Sequence, residues 1–393
     1  MARLAAFWFG LQFVWGAVLA VSLQARVSAL VPGDAIDAYA LLAAAGAIVG
    51  GVVQLIAGPL ADRRFARHGS RAGFYAAGVA LALPGLALLY LAPGLVALGA
   101  GFVLLQIGMN VATGPYQAIV PDYVPAERAG SASAWLGIFQ PLGNSGGLLV
   151  AGFVHDDRLV AGIIAAALAG SWALTASALR TRRPIPAVQA RFTLDADFRT
   201  LLLSRTAINF GFYTLLGFLF FFVAQSLGVG GSGTRTFTAL LFLTFTLANV
   251  AGAALAARPA DRYDKRFVVL AANALIVVAL VALASAHALA VAFAAAALAG
   301  IAWGGYFIAD WALACTLLPR SGMASAMGIW NVAAAIPQIL APIVTAPLVQ
   351  HANLTLAGSG PRVAVVMAAV EFTLGAVWLL RLPRDAAAPT RSG

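Results

Sequence analysis

Apolar segments long enough to cross a membrane follow one another along almost the whole chain, and this pattern restricts the fold more than any motif. A transmembrane helix needs about 17–25 mainly apolar residues, and twelve such segments are separated by short polar connections. Only 10% of the 393 residues are charged and 62% are hydrophobic, which excludes an ordinary soluble domain. The sequence therefore predicts an all-α polytopic membrane protein with spans at 4–25, 38–60, 73–91, 95–119, 130–154, 160–179, 199–227, 236–257, 267–286, 288–318, 323–350 and 362–381.

The twelve spans divide into two halves of six around the longest polar stretch, which contains two prolines and several charges. The predicted organisation is an N-terminal half at 1–179, a cytoplasmic linker at 180–198, a C-terminal half at 199–381 and a cytoplasmic tail at 382–393.

The two halves also contain similar sequences. Ala-Asp-Arg closes the second span at residues 61–63 and the eighth at residues 260–262. Parallel repeats within one membrane chain are typical of secondary transporters, whose substrate site lies near the middle of the membrane between the repeats. We therefore expect a twelve-helix transporter with two pseudo-symmetric halves.

The net charge of +10 is explained by topology better than by nucleic-acid binding. Basic residues cluster at 63–71, 180–199, 258–266 and 381–391, which all fall on one side of the membrane if twelve helices alternate. The positive-inside rule then places both termini in the cytoplasm, with anionic lipid headgroups as partners of the excess charge. The arginine and alanine content favours a GC-rich bacterial genome, and hence the bacterial inner membrane.

Polar side chains within the spans are the candidates for substrate binding, because such groups usually face a cavity or a partner helix. In the fourth span Gln106, Asn110, Thr113 and Gln117 recur every three or four residues and share one helix face. Amides both donate and accept hydrogen bonds, so this face suits an uncharged, hydroxyl-rich ligand. Alternatively, the amides bond helix to helix, contributing about 0.6 kcal/mol per contact.

The first, seventh and tenth spans, which are equivalent to the fourth in the repeated triplets, also present polar or aromatic side chains, and aromatic rings offer an apolar face with a polar rim. The eleventh span adds two amides on one face. The remaining predicted substrate-binding residues are Gln12, Trp15, Asn209, Tyr213, Trp303, Asp310, Trp311, Asn331 and Gln338.

Two carboxylates lie deep within predicted spans, Asp310 in the tenth and Glu371 in the twelfth. A carboxyl group removed from water retains a proton readily, so both are candidates for proton coupling. For Asp310 the alternative is a structural hydrogen bond, and for Glu371 it is a structural or partner contact. The four histidines lie in or beside connections without metal-ligand spacing, so we predict no metal, no cofactor and no enzymatic activity.

The connection GPLADRRFARHGSR resembles the loop signature of the major facilitator superfamily. A carboxylate at a helix end beside arginines can pair in one conformation and release in another. We therefore predict gating elements here and in the equivalent connection of the second half, unless these charges only fix topology at the headgroups. The predicted gating residues are Gly58, Asp62, Arg63, Arg67, Asp261 and Arg262.

Three segments resemble the plant sucrose–proton symporters, their animal relatives and bacterial carriers of the glycoside-pentoside-hexuronide group. They are GLQFVWGAVLAVSLQARV, LQIGMNVATGPYQAIVPD and MGIWNVAAAIPQILAPIVTAPL. The resemblance implies transport of a sugar or glycoside together with a cation by alternating access. It also implies that the sugar route is lined or shaped by Gln12, Asn110, Gly114, Pro115, Asn331, Pro337 and Gln338.

The chain departs from this resemblance at two positions. The plant symporters have a proton-binding aspartate where this chain has Gln106, and an arginine where it has Gln117. Losing both members of a buried charge pair strands no charge. It does remove that proton site, so any coupling must use Asp310, Glu371 or a proton carried by the substrate.

The leading hypothesis is a secondary active transporter that moves a small polar organic solute, a sugar or glycoside, by alternating access, with or without a coupled proton. We expect a functional monomer whose partners are the solute and the lipid bilayer, and no nucleic acid. The alternatives are an exporter of amphipathic drugs or metabolites on the same fold and a non-transporting membrane sensor or scaffold.

Overall fold

The computed structural model describes residues 1–125, 129–179, 195–317 and 323–383, and this part of the chain is almost entirely helical. It contains twelve long helices, with a short helix, Ile119–Tyr123, after the fourth. The long helices are α1 (Ala2–Leu30), α2 (Ala35–His68), α3 (Ala72–Leu91), α4 (Leu95–Tyr116), α5 (Ala129–Phe153), α6 (Asp157–Leu179), α7 (Ala196–Ser226), α8 (Ser232–Arg262), α9 (Lys265–Ala284), α10 (Leu289–Leu317), α11 (Met323–Thr355) and α12 (Gly360–Leu379).

Each predicted span corresponds to one long helix, and the protein is a multi-pass membrane protein. Within the described residues, ten helices are long and apolar enough to cross a bilayer by length and composition. Several helices extend beyond the predicted apolar spans because hydrogen bonding continues into the polar connections. Helix α2, for example, runs through the arginines after Asp62 to Gly69, whose left-handed backbone (φ 62°) ends it.

The helices form two compact units, Met1–Val188 and Gln189–Gly393. In the first unit α1 packs on α5 and α6, α4 packs on α2 and α3, and α3 packs on α6. In the second unit α7 packs on α11 and α12, α10 packs on α8 and α9, and α9 packs on α12. Adding six to each helix number converts one packing scheme into the other, so the two units repeat one helix arrangement.

A turn of π-helix occurs in the first helix of each unit, inside α1 and at the end of α7. The two turns are Val18–Ser22 in α1 and Phe222–Ser226 in α7. A π turn inserts one extra residue and shifts the face that the following residues present. In α1 the turn changes the face presented by Leu23–Leu30, whereas α7 ends at its π turn.

Helix α4 is fixed against α3 by glycines that bring the two backbones close together. A methyl group built on Gly85 would lie 2.6 Å from the Leu105 nitrogen, and one on Gly108 would lie 2.5 Å from the Ala82 nitrogen. Such small residues allow membrane helices to approach each other closely. This packing determines which face of α4 remains for its amides.

An arginine joins helix ends on one side of each unit. Arg26 of α1 donates to the Ala92 carbonyl at 2.7 Å and to the Asp157 carboxylate at 2.9 Å. Arg362 of α12 donates to the carbonyls of Ala284 and Ser226. In both units these bonds satisfy carbonyls that have no partner within their own helix.

Candidate functional site

The amides of α4 bond to one another and to α2. The Asn110 side-chain nitrogen donates to the Gln106 backbone carbonyl at 2.8 Å and to its side-chain oxygen at 3.0 Å. Gln54 of α2 donates to the Asn110 side-chain oxygen at 2.6 Å. Gln106 and Asn110 are buried and Gln54 is half-buried. We call these three residues the amide cluster.

The close approach of α2 at the amide cluster depends on glycine. A methyl group on Gly50 would lie 2.8 Å from the Asn110 side-chain nitrogen, and one on Gly46 would lie 3.0 Å from that of Gln106. Part of the predicted polar face is thus occupied by interhelical bonding. The amide cluster is still uncharged and able both to donate and to accept, as recognition of a hydroxyl requires.

The other two residues of the predicted α4 face have different environments. Thr113 is buried, and its hydroxyl has no hydrogen-bond partner within the described part of the chain. Gln117 is exposed and lies in a turn, because α4 ends at Tyr116, one residue after Pro115. Pro115 has no N–H to donate, which weakens the last turn. The prediction of a single helical face therefore extends only to Thr113.

In the second unit, Arg205 of α7 forms an ion pair with Asp310 of α10. The Asp310 side chain is buried, with 2% exposed, and the Arg205 side chain is mostly buried, with 12% exposed. The guanidinium carbon lies 4.2 Å from the ring centre of Trp330 on α11, a cation–π contact. Three helices therefore contribute to one charged group within the unit. We use the name arginine cluster for Arg205, Asp310, Trp330 and Tyr306, which lies one turn before Asp310.

The other predicted residues of α7 and α10 differ in their burial and in their contacts. Asn209 is buried and donates to the Arg205 carbonyl at 2.9 Å, so its amide nitrogen is used within its own helix. Tyr213 and Trp303 are half-buried, and Trp303 stacks on Phe212 at 4.7 Å. Trp311 is 44% exposed and lies on a different side of α10 from Asp310.

The described predicted residues of α1, α11 and α12 make no hydrogen bond, ion pair or ring contact with either cluster. Gln12 and Trp15 are half-buried, and Gln12 lies near Gly143 of α5. Gln338 is exposed, and the Asn331 side chain lies outside the described part of the structure. Glu371 is half-buried beside Thr214 of α7, with one carboxylate oxygen buried and without a partner among the described residues.

Asp62, a predicted gating residue, pairs with an arginine that the motif did not identify. Its carboxylate accepts from Arg71, at the start of α3, and Arg71 also donates to Asp122 of the short helix at 2.6 Å. Arg71 and Asp122 are 7% and 5% exposed, whereas Asp62 is 69% exposed. The buried part of this network is therefore Arg71–Asp122.

Burial and the neighbouring charges have opposite effects on the pKa values of Asp122 and Arg71. Burial raises the pKa of Asp122, and the hydrogen bond from Arg71 only partly offsets this. Burial lowers the pKa of Arg71, but its hydrogen bonds to Asp122 and Asp62 outweigh that effect, so the net direction is upward. Arg71 thus remains charged and holds two carboxylates from different elements.

The other predicted gating residues whose side chains the structure describes show no comparable network. Gly58 is half-buried, with nothing within 4 Å of a methyl group built on it. Arg63, Arg67 and Arg262 are exposed, and the Asp261 side chain lies outside the described part of the structure.

Sequence reasoning did not select Gln54, Asp122, Tyr306 or Trp330. Gln54 was detectable, because it is the one amide in the predicted span 38–60 and polar groups in such spans are rare. Nothing in the sequence distinguishes Asp122, Tyr306 or Trp330, whose roles depend on which helices meet.

Comparison with known proteins agrees with this architecture. The sequence model of the Major Facilitator Superfamily matches residues 4–342 and, in a second match, residues 201–393. The chain belongs to the major facilitator superfamily. No curated protein matches the sequence closely enough to count as a relative.

Solved structures of the same fold include two transporters. A bacterial homologue of the human lysosomal transporter Spinster, in an inward-facing and occupied conformation, has a TM-score of 0.77 and 18% identity over 98% of this chain and 97% of its own. The nucleoside transporter NupG has a TM-score of 0.71 and 13% identity over 97% and 98%. At such identities the likeness concerns the fold and not the solute.

Family and fold together settle the class of protein. This superfamily member is a membrane transporter of small solutes and not an enzyme. Within the described ranges no three His, Cys, Asp or Glu side chains converge as metal ligands. The closer resemblance to sucrose–proton symporters stays a prediction.

Proposed function

We propose that this chain is a secondary active transporter of a sugar or glycoside that works by alternating access, in the bacterial inner membrane with both termini cytoplasmic. The observation that carries the proposal is the amide cluster, in which Gln54, Asn110 and Gln106 form an uncharged hydrogen-bonding group within membrane helices. A sugar hydroxyl both donates and accepts, so it can exchange for any of these amide bonds. A hydrophobic solute offers no such exchange.

We propose Asp310 as the coupling residue if transport is driven by a proton. Its carboxylate is 2% exposed and its charge is balanced by Arg205 alone among the described basic groups. Protonation of Asp310 would release Arg205, a change large enough to favour a different helix arrangement. Glu371 remains the second candidate, since one of its oxygens is buried and has no partner among the described residues.

Uptake of labelled sucrose and glucose into proteoliposomes tests the proposal. Asn110→Ala removes the acceptor of Gln54 and the donor to Gln106, and it should abolish uptake. Asn273→Ala is the matched control, since Asn273 is also a buried amide but donates at 2.9 Å to Val269 of its own helix. Equal loss of uptake in both variants would contradict a specific role for the amide cluster.

Coupling is tested by collapsing the pH gradient. If Asp310 carries the proton, Asp310→Asn should lower accumulation of the sugar to the level that wild type reaches without a gradient. Unaltered accumulation in Asp310→Asn would exclude this residue from coupling.

An exporter of amphipathic compounds is the second candidate, favoured by an apolar pocket within the second unit. A water-sized sphere can occupy about 40 Å³ of it, so a solute would have to displace the side chains that line it. It is lined by side chains of α7, α8, α9 and α10, among them Phe212, Phe242, Phe245, Leu280 and Leu283. Efflux of hydrophobic cations together with indifference to sugars would favour the exporter over the sugar transporter.

A further inference from the structure

A pocket with charged walls lies at the ends of three helices of the first unit, at the opposite helix ends from Asp62 and Arg71. Its volume is about 440 Å³, within the range of roughly 300–1,000 Å³ that small-molecule sites occupy. The end of α1, the end of α3 and the start of α6 supply its walls, which include Arg26, Leu91, Ala92, Asp156, Asp157 and Arg158. We call it the helix-end pocket. None of these residues belongs to the amide cluster or to the predicted gate.

Two of the four charges in the helix-end pocket are paired with each other. Arg26 donates to the Asp157 carboxylate at 2.9 Å and to the Ala92 carbonyl at 2.7 Å. The side chains of Arg26 and Asp157 are 14% and 22% exposed. Because these bonds join α1 to the ends of two other helices, the Arg26–Asp157 pair forms a fixed wall of the pocket.

Asp156 and Arg158 add one accessible charge of each sign. One oxygen of Asp156 accepts from the backbone nitrogens of Arg158 and Leu159, at 2.8 and 3.2 Å. Its other oxygen accepts no hydrogen bond from the described residues. Arg158 is exposed, and its guanidinium forms no hydrogen bond or ion pair within the same part of the chain. A carboxylate and a guanidinium are therefore available close together at the start of α6.

A ligand that carries both charges complements this arrangement. Phosphate oxygens accept hydrogen bonds and suit a guanidinium, whereas an ammonium group only donates and suits a carboxylate. With two arginines and two aspartates, the formal charge of the pocket is zero, so a ligand of one sign would meet a like charge as well as an opposite one. The matching chemistry is a phosphate and a primary ammonium joined by a short chain, which is a phosphoethanolamine group.

The surroundings of the pocket favour a lipid as the source of that group. Leu91, which lines the pocket, is 53% exposed, and Leu159, which follows Arg158, is 55% exposed. Val96, in the first turn of α4, is 88% exposed. Apolar side chains exposed at the end of a membrane span lie against acyl chains, and charged side chains at the same depth meet the headgroups. A soluble phosphoethanolamine compound would gain nothing from these apolar neighbours.

We infer that the helix-end pocket binds the headgroup of phosphatidylethanolamine, with its phosphate on Arg158 and its ammonium on Asp156, beside the Arg26–Asp157 pair. The bound lipid stabilises the ends of α1, α3 and α6 against one another. This site goes beyond the proposed function, because it operates whichever solute the protein moves.

Thermal unfolding of the delipidated full chain in detergent tests the site, with one synthetic dioleoyl lipid added at a time. The lipids are phosphatidylethanolamine, its N,N-dimethyl derivative, phosphatidylcholine and phosphatidylglycerol. Phosphatidylethanolamine should raise the unfolding midpoint by about 2–4 °C more than phosphatidylcholine or phosphatidylglycerol. The choline nitrogen has no N–H to donate and the glycerol headgroup has no positive charge, so the dimethyl lipid should lie in between. Equal midpoints with all four lipids would overturn the inference.

Two variants of exposed residues locate the effect. Arg158→Gln removes the partner of the phosphate, and Asp156→Asn removes the negative charge while an asparagine still caps α6. Both should unfold as wild type does in phosphatidylcholine and lose most of the additional shift in phosphatidylethanolamine. Asp34→Asn is the matched control, since Asp34 is an exposed aspartate just before α2 at the same helix ends of the unit. A full shift in both pocket variants would show that the lipid binds elsewhere.

Glycerophosphoethanolamine, a soluble compound with the same headgroup and no acyl chains, separates a lipid site from a solute site. At the concentration of the lipid it should leave the midpoint unchanged. A shift as large as that of the lipid would assign the pocket to a soluble zwitterion and overturn the lipid assignment. Since these measurements involve no sugar uptake, their failure leaves the proposed function standing.

Discussion

At the scale of single residues, this protein buries charge in pairs and leaves its amides to bond with one another. Arg71–Asp122 and Arg205–Asp310 are each almost fully buried. Helix α4 contains no charged residue between Leu95 and Tyr116, and its Gln106 is bonded to Asn110 at 3.0 Å. A buried pair is costly to break, because the remaining charge has neither water nor partner.

Arg71→Gln should therefore be among the most destabilising single changes. It strands buried Asp122 and leaves Asp62 nearby without its cation, at an expected cost of about 3–5 kcal/mol. Arg67→Gln, an exposed arginine of the same connection, should change stability by no more than about 0.5 kcal/mol. Thermal unfolding of the purified variants in detergent measures both.

The Arg71–Asp122 pair also predicts how the loss of stability in Arg71→Gln depends on pH. Because burial raises the pKa of Asp122 above its value in the unfolded chain, the folded protein takes up this proton more readily. The contribution of this group to stability is therefore gained as pH falls and lost as pH rises through the folded pKa. Acidification should narrow the gap between Arg71→Gln and wild type, and adding Asp122→Asn should remove that effect. A gap that widens in acid would contradict the assignment.

At the scale of helices, close backbone contact decides where each polar face points. The α3–α4 interface has glycines on both helices, and any Cβ at Gly78, Gly85 or Gly108 would lie within 2.6 Å of a neighbouring atom. Protein interiors do not absorb such overlap without moving the backbone. Moving α4 would displace the amide cluster as well.

Gly108→Ala should for this reason destabilise the protein by about 1–3 kcal/mol, although alanine is the better helix former. Gly170→Ala in α6 is the matched control, since nothing lies within 4 Å of the added methyl group. It should be neutral or slightly stabilising. Differential scanning fluorimetry of both variants checks the expectation, and equal midpoints would show that the α3–α4 contact is not tight.

At the scale of the whole molecule, two units share one packing scheme, and basic residues lie on alternate connections. Fusions carrying alkaline phosphatase, active only outside the cytoplasm, and a fluorescent protein, fluorescent only inside, test the resulting orientation. After Gly393 and in the connection at residues 69–71, the fluorescent fusion should be bright. In the connection at residues 31–34, the phosphatase should be active. The reverse pattern would overturn the cytoplasmic assignment of both termini.

The fold could be predicted from the sequence because the hydrophobicity of each segment depends only on its own residues. Each helix is apolar over a membrane-spanning length whatever its neighbours are, and the repeated Ala-Asp-Arg indicates two related halves. Helix ends were less accessible. Helix α2 continues to its cap at Gly69, beyond the predicted span 38–60. Helix α4 ends at Tyr116, before the end of the predicted span 95–119.

For the polar residues, too, the sequence determines some features and the tertiary structure decides others. The sequence by itself determined that Gln106, Asn110 and Asp310 lie within membrane helices, because burying a polar group in lipid is expensive wherever the helix packs. Only the tertiary structure decided that Asn110 meets Gln54, that Asp62 meets Arg71, and that Arg205 lies between Asp310 and Trp330. Asn110–Gln54 and Arg205–Asp310 join residues far apart in the chain, whereas Asp62 and Arg71 lie at the facing ends of consecutive helices. These contacts depend on the rotation and approach of each helix, which glycine contacts set and hydropathy does not record.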